Sequence, residues 1–105
     1  MRRRDVDFSP EAVNDLLNLY DWIVSRAGSA IAISYLDRIE TFCLGLDFAS
    51  ERGQFRGDIR PGLRIIGFER RITIAFSVDA ERVTILRLFY GGQDWEELVR
   101  NDPPR

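Results

Sequence analysis

Apolar and polar positions recur along this chain with two different periods, and the point where they switch divides it. Val6 and Phe8 alternate with Asp5 and Asp7, as in a short strand with one buried face. "SPEA" then opens a helix. Ser9 can cap it, Pro10 suits a first turn where a missing N–H is no loss, and Glu11 faces the positive end of the dipole. Val13, Leu16, Leu17, Tyr20, Ile23 and Val24 recur at helical spacing, which leaves Asn14, Asp15, Asn18 and Asp21 for the wet side. Gly28 ends this helix. Ser29 can start a second one, with Ala32, Tyr35, Leu36, Ile39, Phe42, Cys43 and Leu46 as its stripe. The short Gly-Ser connection predicts an antiparallel helix hairpin.

From Asp47 to Gly62 the pattern dissolves into a polar, glycine-rich loop, long for a domain of this size. The period then becomes two. "LRIIGF" (63–68), "RITIAFSV" (71–78) and "RVTILRLFY" (82–90) are rich in β-branched and aromatic residues, and the hairpin-sized turns between them predict an antiparallel meander. Ile72, Ile74, Phe76 and Val78 mark one face of the middle strand. Strict alternation in the last strand sends Leu86 and Leu88 one way and Val83, Ile85, Arg87 and Phe89 the other. With the leucines against the helices, Arg87 stands on the open face, and Arg64 can share it.

The segment "FYGGQDWEEL" reads as a strand end, a glycine turn and a short terminal helix. Asp94 would cap that helix, Glu96 and Glu97 suit its first turn, and Trp95 and Leu98 would lie on the sheet. The expected architecture is α+β: an N-terminal strand and an antiparallel helix hairpin packed on a small antiparallel sheet, in the order β-α-α-β-β-β with a short C-terminal helix. The 105 residues suffice for a single domain, 1–105, with a modest core.

Composition removes several chemistries. The chain has one cysteine and no histidine, so neither a disulfide nor a zinc-type cluster can be assembled within it. No metal or cofactor is expected. Cys43 falls on an apolar helical stripe, where a thiol is structural rather than nucleophilic. "MRRRDVDFSPEA" lacks the apolar run of a signal peptide, and no window approaches a membrane span, so a cytoplasmic protein is expected.

The net charge of −2 argues against binding nucleic acid by bulk charge. Its distribution is uneven, because residues 51–71 hold six arginines against three acids. All fifteen cations are arginine. Either the source genome favours that residue, or guanidinium forks serve bidentate contacts to carboxylate or phosphate.

The stretches "FSPEAVNDLLNLYDWI", "RGQFRGDIRPGLRIIGFERRITIAF" and "VTILRLFYGGQDWE" together resemble the ParE branch of the ParE/RelE toxin family, across nearly the whole chain and in the family's order. The runs "RPGLRIIGFERRITIAF" and "FYGGQDWE" carry most of the likeness. The resemblance implies a helix hairpin on a small sheet and a toxin held inactive in a hetero-oligomer by a cognate ParD-type antitoxin. It implies DNA gyrase as the target, while RelE-type relatives cut mRNA on the ribosome. It implies neither membrane association nor sequence-specific DNA binding by this chain alone.

RNA cleavage by a 2′-hydroxyl needs a base, an acid and cations for the phosphorane. Arginine, with a pKa above about 12, is a charge stabiliser and a poor base. A nuclease reading therefore assigns Arg64 and Arg87 to the phosphate and Tyr90 to proton transfer, with Glu96 as a carboxylate alternative. The other reading, favoured here, has no catalytic residues. Arg60, Arg64, Arg70, Arg71, Arg87, Tyr90 and Trp95 then grip antitoxin or gyrase. A domain that binds but has lost toxicity is a third possibility.

Overall fold

A computed structural model describes residues 3–48, 50–91 and 94–101. The elements are β1 (Asp5–Phe8), α1 (Pro10–Ala27), α2 (Ser29–Leu44), β2 (Gln54–Phe55), β3 (Leu63–Phe68), β4 (Ile72–Val78), β5 (Arg82–Tyr90) and α3 (Trp95–Asn101). The helix starts follow the local chemistry. Ser9 Oγ accepts from the Ala12 N–H at 3.1 Å, and Pro10 occupies the first turn of α1. Gly28, at φ 92°, closes α1 by donating to the Val24 carbonyl and leads directly into α2.

The five strands form one sheet in the order β1-β5-β4-β3-β2. The β3–β4–β5 meander is antiparallel, whereas β1 runs parallel to β5, pairing Asp5 with Arg82 through Phe8 with Ile85. The sheet is therefore mixed. The expected loop after α2 contains a 3-10 turn (Gly45–Asp47) and the two-residue β2, which pairs Phe55 with Arg64. Gly53 permits that approach: its φ is 74°, and a Cβ there would collide with the Ile65 carbonyl oxygen.

Two cores lie on opposite faces. The helix-side core joins Ala12, Leu19, Ile23, Ala32, Ile39, Cys43 and Leu46 to Ile72, Ile74, Phe76, Val83, Ile85 and Leu88. The other joins Leu63, Ala75, Leu86, Phe89 and Val99, with Trp95 and Leu98 packed against it. The face expected to be partly open is thus covered by α3.

Strict alternation fails in β5. Ala75 pairs with Arg87 but Phe76 pairs with Ile85, so Leu86 is an extra residue at a β-bulge. The bulge turns Leu86 away from the helices while Val83, Ile85 and Leu88 face them. Leu86 and Leu88 therefore do not share a face. The α1 stripe is also rotated from expectation. Val13 and Leu17 are exposed, and Ala12 and Leu19 are buried. Apolar residues surround much of this helix, so tertiary contact rather than periodicity selects the buried side.

Candidate functional site

The seven candidate residues fall into five places. Arg64 pairs across the strands with Phe76, whose side chain belongs to the helix-side core; Arg87 pairs with Ala75, in the other core. Side chains at cross-strand partners share a face, so Arg64 and Arg87 stand on opposite faces and cannot flank one phosphate. The expectation that they share a face fails because of the bulge. Leu88, not Leu86, carries the helix-side contact at this point, and Arg64 alternates in phase with Ile66 and Phe68.

Each of these two arginines has a local carboxylate. Arg87 Nε and Nη2 donate to Asp15 Oδ2 and Oδ1 at 2.8 and 3.1 Å, and its guanidinium carbon lies 5.0 Å from the Phe89 ring centroid. Arg64 reaches Glu51 at 3.7 Å and lies over Phe55, the residue that β2 places opposite it. Arg60 sits in the turn before β3, where its carbonyl accepts from the Leu63 N–H. Trp95, on α3, lies under Arg56, which binds both Asp58 and Glu96. Those hydrogen bonds lower the Asp58 carboxyl below its ordinary pKa and raise the guanidinium. Asp94 Oδ1 accepts from the Glu97 N–H, as its expected capping role requires.

Arg70, Arg71 and Tyr90 are brought together. They line a groove of about 1150 Å³ between the helix hairpin and the β3–β4 turn. Leu19, Ile23, Ile31 and Ile72 supply aliphatic surface, and Trp22 and Tyr35 supply rings. Trp22 and Tyr90 meet at 5.7 Å between centroids, tilted by 44°, with the Arg26 guanidinium 4.4 Å from the indole centroid on the same tryptophan. Arg38 clasps Glu69 through Nε and Nη2, at 3.0 and 3.1 Å, while lying over Tyr35. The Tyr35 hydroxyl is buried without a hydrogen-bond partner, and burial raises its pKa, with Glu69 adding to the effect. This tyrosine is therefore a neutral donor seeking an acceptor.

The turn at the groove's lip is conformationally expensive. Glu69 and Arg70 have φ of 49° and 62°, and the Arg71 N–H closes the turn on the Phe68 carbonyl. Both central residues at positive φ make a type I′ hairpin, a geometry that favours Asn-Gly. A glutamate and an arginine occupy these positions instead, and both side chains line the groove.

Sequence reasoning missed Trp22, Arg26 and Tyr35 as groove residues, since helical periodicity alone reads them as stripe or flank. It also assigned Asp15 to solvent. The mate of Asp15 is 72 positions away, and nothing local announces it. Trp22 and Ile31 are exposed and line the groove together with four arginines, a juxtaposition that arises only in the fold.

Such an arrangement defines a small α+β domain that presents guanidinium groups and aromatic rings. Among the described residues no three His, Cys, Asp or Glu side chains are gathered to hold a metal ion, and no helix is long and apolar enough to cross a membrane. Residues 6–95 match the ParE toxin of the type II toxin–antitoxin system, parDE, and the chain belongs to that family. It is similar to a chain of the chromosomal ParDE toxin–antitoxin system from P. aeruginosa, at 25% identity and a TM-score of 0.73, covering 84% of this chain and 96% of that one. In fold it also resembles a chain of the toxin–antitoxin complex RelBE2 from Mycobacterium tuberculosis, at 20% identity and a TM-score of 0.59, covering 89% and 97%. No curated protein matches the sequence.

Proposed function

We propose that this ParE-family toxin acts by gripping a macromolecule, with DNA gyrase as its target, and that a ParD-type antitoxin holds it inactive in a hetero-oligomer. The separation of Arg64 and Arg87 onto opposite faces is the observation that carries this reading. The two cations that a phosphate-cleaving site would need together are each committed to a carboxylate elsewhere. The cluster that does form, around Trp22 and Tyr90, has the aromatic and arginine composition of a protein-binding hot spot. The likeness to a chain of a ParDE system supports an antitoxin as the natural partner.

Ribosome-dependent mRNA cleavage is the second reading. It is favoured by one observation: Tyr90, Arg70 and Arg71 line the same groove, where a hydroxyl and two cations could act on a phosphate. One assay pair separates the readings. Purified toxin with gyrase and supercoiled plasmid should accumulate linear, protein-linked DNA, and Tyr90→Phe should retain that activity, because the ring on Trp22 is kept. Cleavage of mRNA in a translating extract, abolished by Tyr90→Phe and unaccompanied by linear DNA, would reverse the assignment.

A further inference from the structure

Each helix of the hairpin carries apolar residues on two sides. Ala12, Ala32 and Cys43 are buried in the helix-side core, and the residue after each, Val13, Ile33 and Leu44, is exposed. One step along an α-helix turns a side chain by about 100°, so both helices repeat the same offset from core to surface. Leu17, 60% exposed, stands one turn beyond Val13. The opposite flanks are occupied. From α2, Tyr35 and Phe42 lean on Phe68 of β3; from α1, Trp22 leans on Tyr90 and Asp15 binds the Leu88 N–H of β5. Val13, Leu17, Ile33 and Leu44 therefore line the seam between the two helices, on the side turned away from the sheet.

That seam is acidic. Asp21 follows Leu17 by one turn, and Asp37 and Glu40 lie between Ile33 and Leu44 on the same stripe. All three are exposed, and none has an ion-pair partner among the described residues. The two arginines of these helices are turned elsewhere, Arg26 onto Trp22 and Arg38 onto Glu69. The charge restricts what can cover the apolar residues. Nucleic acid, an anionic lipid surface and the same seam of a second copy would each bring negative charge against it. A polypeptide surface with apolar side chains set among lysines or arginines meets both requirements.

We propose that this seam is the surface by which the toxin grips its target: a basic patch of that protein docks with its apolar side chains on Leu17, Ile33 and Leu44 and its cations on Asp37 and Glu40. The inference rests on the reading of this chain as a gyrase-directed toxin and names the face that makes the contact. None of these five side chains lines the groove beside the β3–β4 turn, so the two surfaces can be altered separately.

The test titrates purified toxin onto immobilised gyrase at low and at raised salt. Leu17→Gln and Asp37→Arg/Glu40→Arg should each weaken binding at least about tenfold and lower the yield of linear, protein-linked DNA. Phe55 is 58% exposed, and Glu81 and Glu97 are exposed, all off the hairpin. Phe55→Gln and Glu81→Arg/Glu97→Arg, which make matching changes in polarity and charge, should stay within about twofold. Raised salt should weaken the unaltered toxin more than the Asp37→Arg/Glu40→Arg variant. Binding by the unaltered toxin with all four variants alike would overturn the seam assignment and leave the gyrase reading standing. Absence of binding by the unaltered toxin would remove that reading and the proposal with it. A dimer of the unaltered toxin that Leu17→Gln disperses would make the occupant a second copy. Seam variants that lose affinity for purified antitoxin but keep it for gyrase would make the occupant the antitoxin. Either result would sink the proposal.

Discussion

Arg87 and Asp15, the one on the last strand and the other on the first helix, form a two-pronged pair that also closes an open strand edge. Asp15 Oδ2 accepts both from Arg87 Nε and, at 2.9 Å, from the backbone N–H of Leu88. That N–H needs an outside partner because β1 pairs with β5 only as far as Ile85. A single carboxylate thus ties α1 to the bulged strand and replaces the missing strand beyond Phe8.

The consequence is a large stability effect at a residue with no target contact assigned to it. Both side chains are mostly covered, at 18% and 12% exposure. Asp15→Ala strands a half-buried guanidinium and an unsatisfied N–H, so it should destabilise the fold by about 3 kcal/mol in urea melts. Arg38→Ala removes an equally bidentate but exposed, solvent-screened pair and should shift the urea midpoint far less than Asp15→Ala. Equal effects from the two would mean that burial does not govern these pairs.

The β3–β4 turn should be improvable at the expense of function. Arg70 sits at φ 62°, a conformation that costs a residue with a Cβ about 1–2 kcal/mol, of which glycine's extra unfolded-chain entropy returns about 0.5–1. Arg70→Gly leaves the Arg38–Glu69 pair intact and should therefore stabilise the protein by roughly 0.5–1 kcal/mol, or a few degrees in Tm. The same change should weaken antitoxin binding. A variant that melts lower, or binds tighter, would show that the turn is not under this tension.

The hairpin and the meander were legible in the sequence because their signals are local: a Ser-Pro start, a glycine stop, and alternation within single strands. The β-bulge was not, since one inserted residue inverts every later side chain without altering composition. That inversion decided the site, because it moved Arg87 to the face opposite Arg64. The groove was half legible. Arg70, Arg71 and Tyr90 stood out as arginine and aromatic residues, but Trp22 and Tyr35 approach them only once the helix hairpin folds over the sheet. Gly92 and Gln93, in the turn read before α3, lie outside the described residues.

Acid should loosen the fold through a small set of carboxylates. Asp79 Oδ1 accepts from the N–H groups of Glu81 and Arg82 at 2.9 and 2.8 Å, and these bonds hold its pKa below the ordinary 3.8. Glu69 is lowered by its hydrogen bond from Arg38, and Asp58 by that from Arg56. A depressed folded-state pKa stabilises above the unfolded value and ceases to do so as pH falls through the folded one. The urea midpoint should hold steady between about pH 7 and pH 5 and drop below about pH 4. Asp79→Ala should lower the neutral-pH midpoint and shrink the drop. An unchanged drop would assign acid sensitivity to other groups.

Cys43 offers a probe of global unfolding rather than a reactive centre. Its side chain is fully buried, and burial, with a smaller contribution from Glu40, pushes the thiol from 9.0 up to about 12. Near neutral pH the folded thiol is both protonated and inaccessible, so a disulfide reagent should label it only through opened molecules. For a domain stable by about 5 kcal/mol, labelling should run about three to four orders of magnitude slower than in guanidinium-unfolded chain. The sign in alkali is also set. The thiol is neutral in both states at low pH, and above pH 9.0 only the unfolded chain ionises freely, so stability should decline as pH rises from there towards about 12. Rapid labelling of the native protein, indifferent to added urea, would show that Cys43 is open to solvent and that the α2 stripe does not seal the helix-side core.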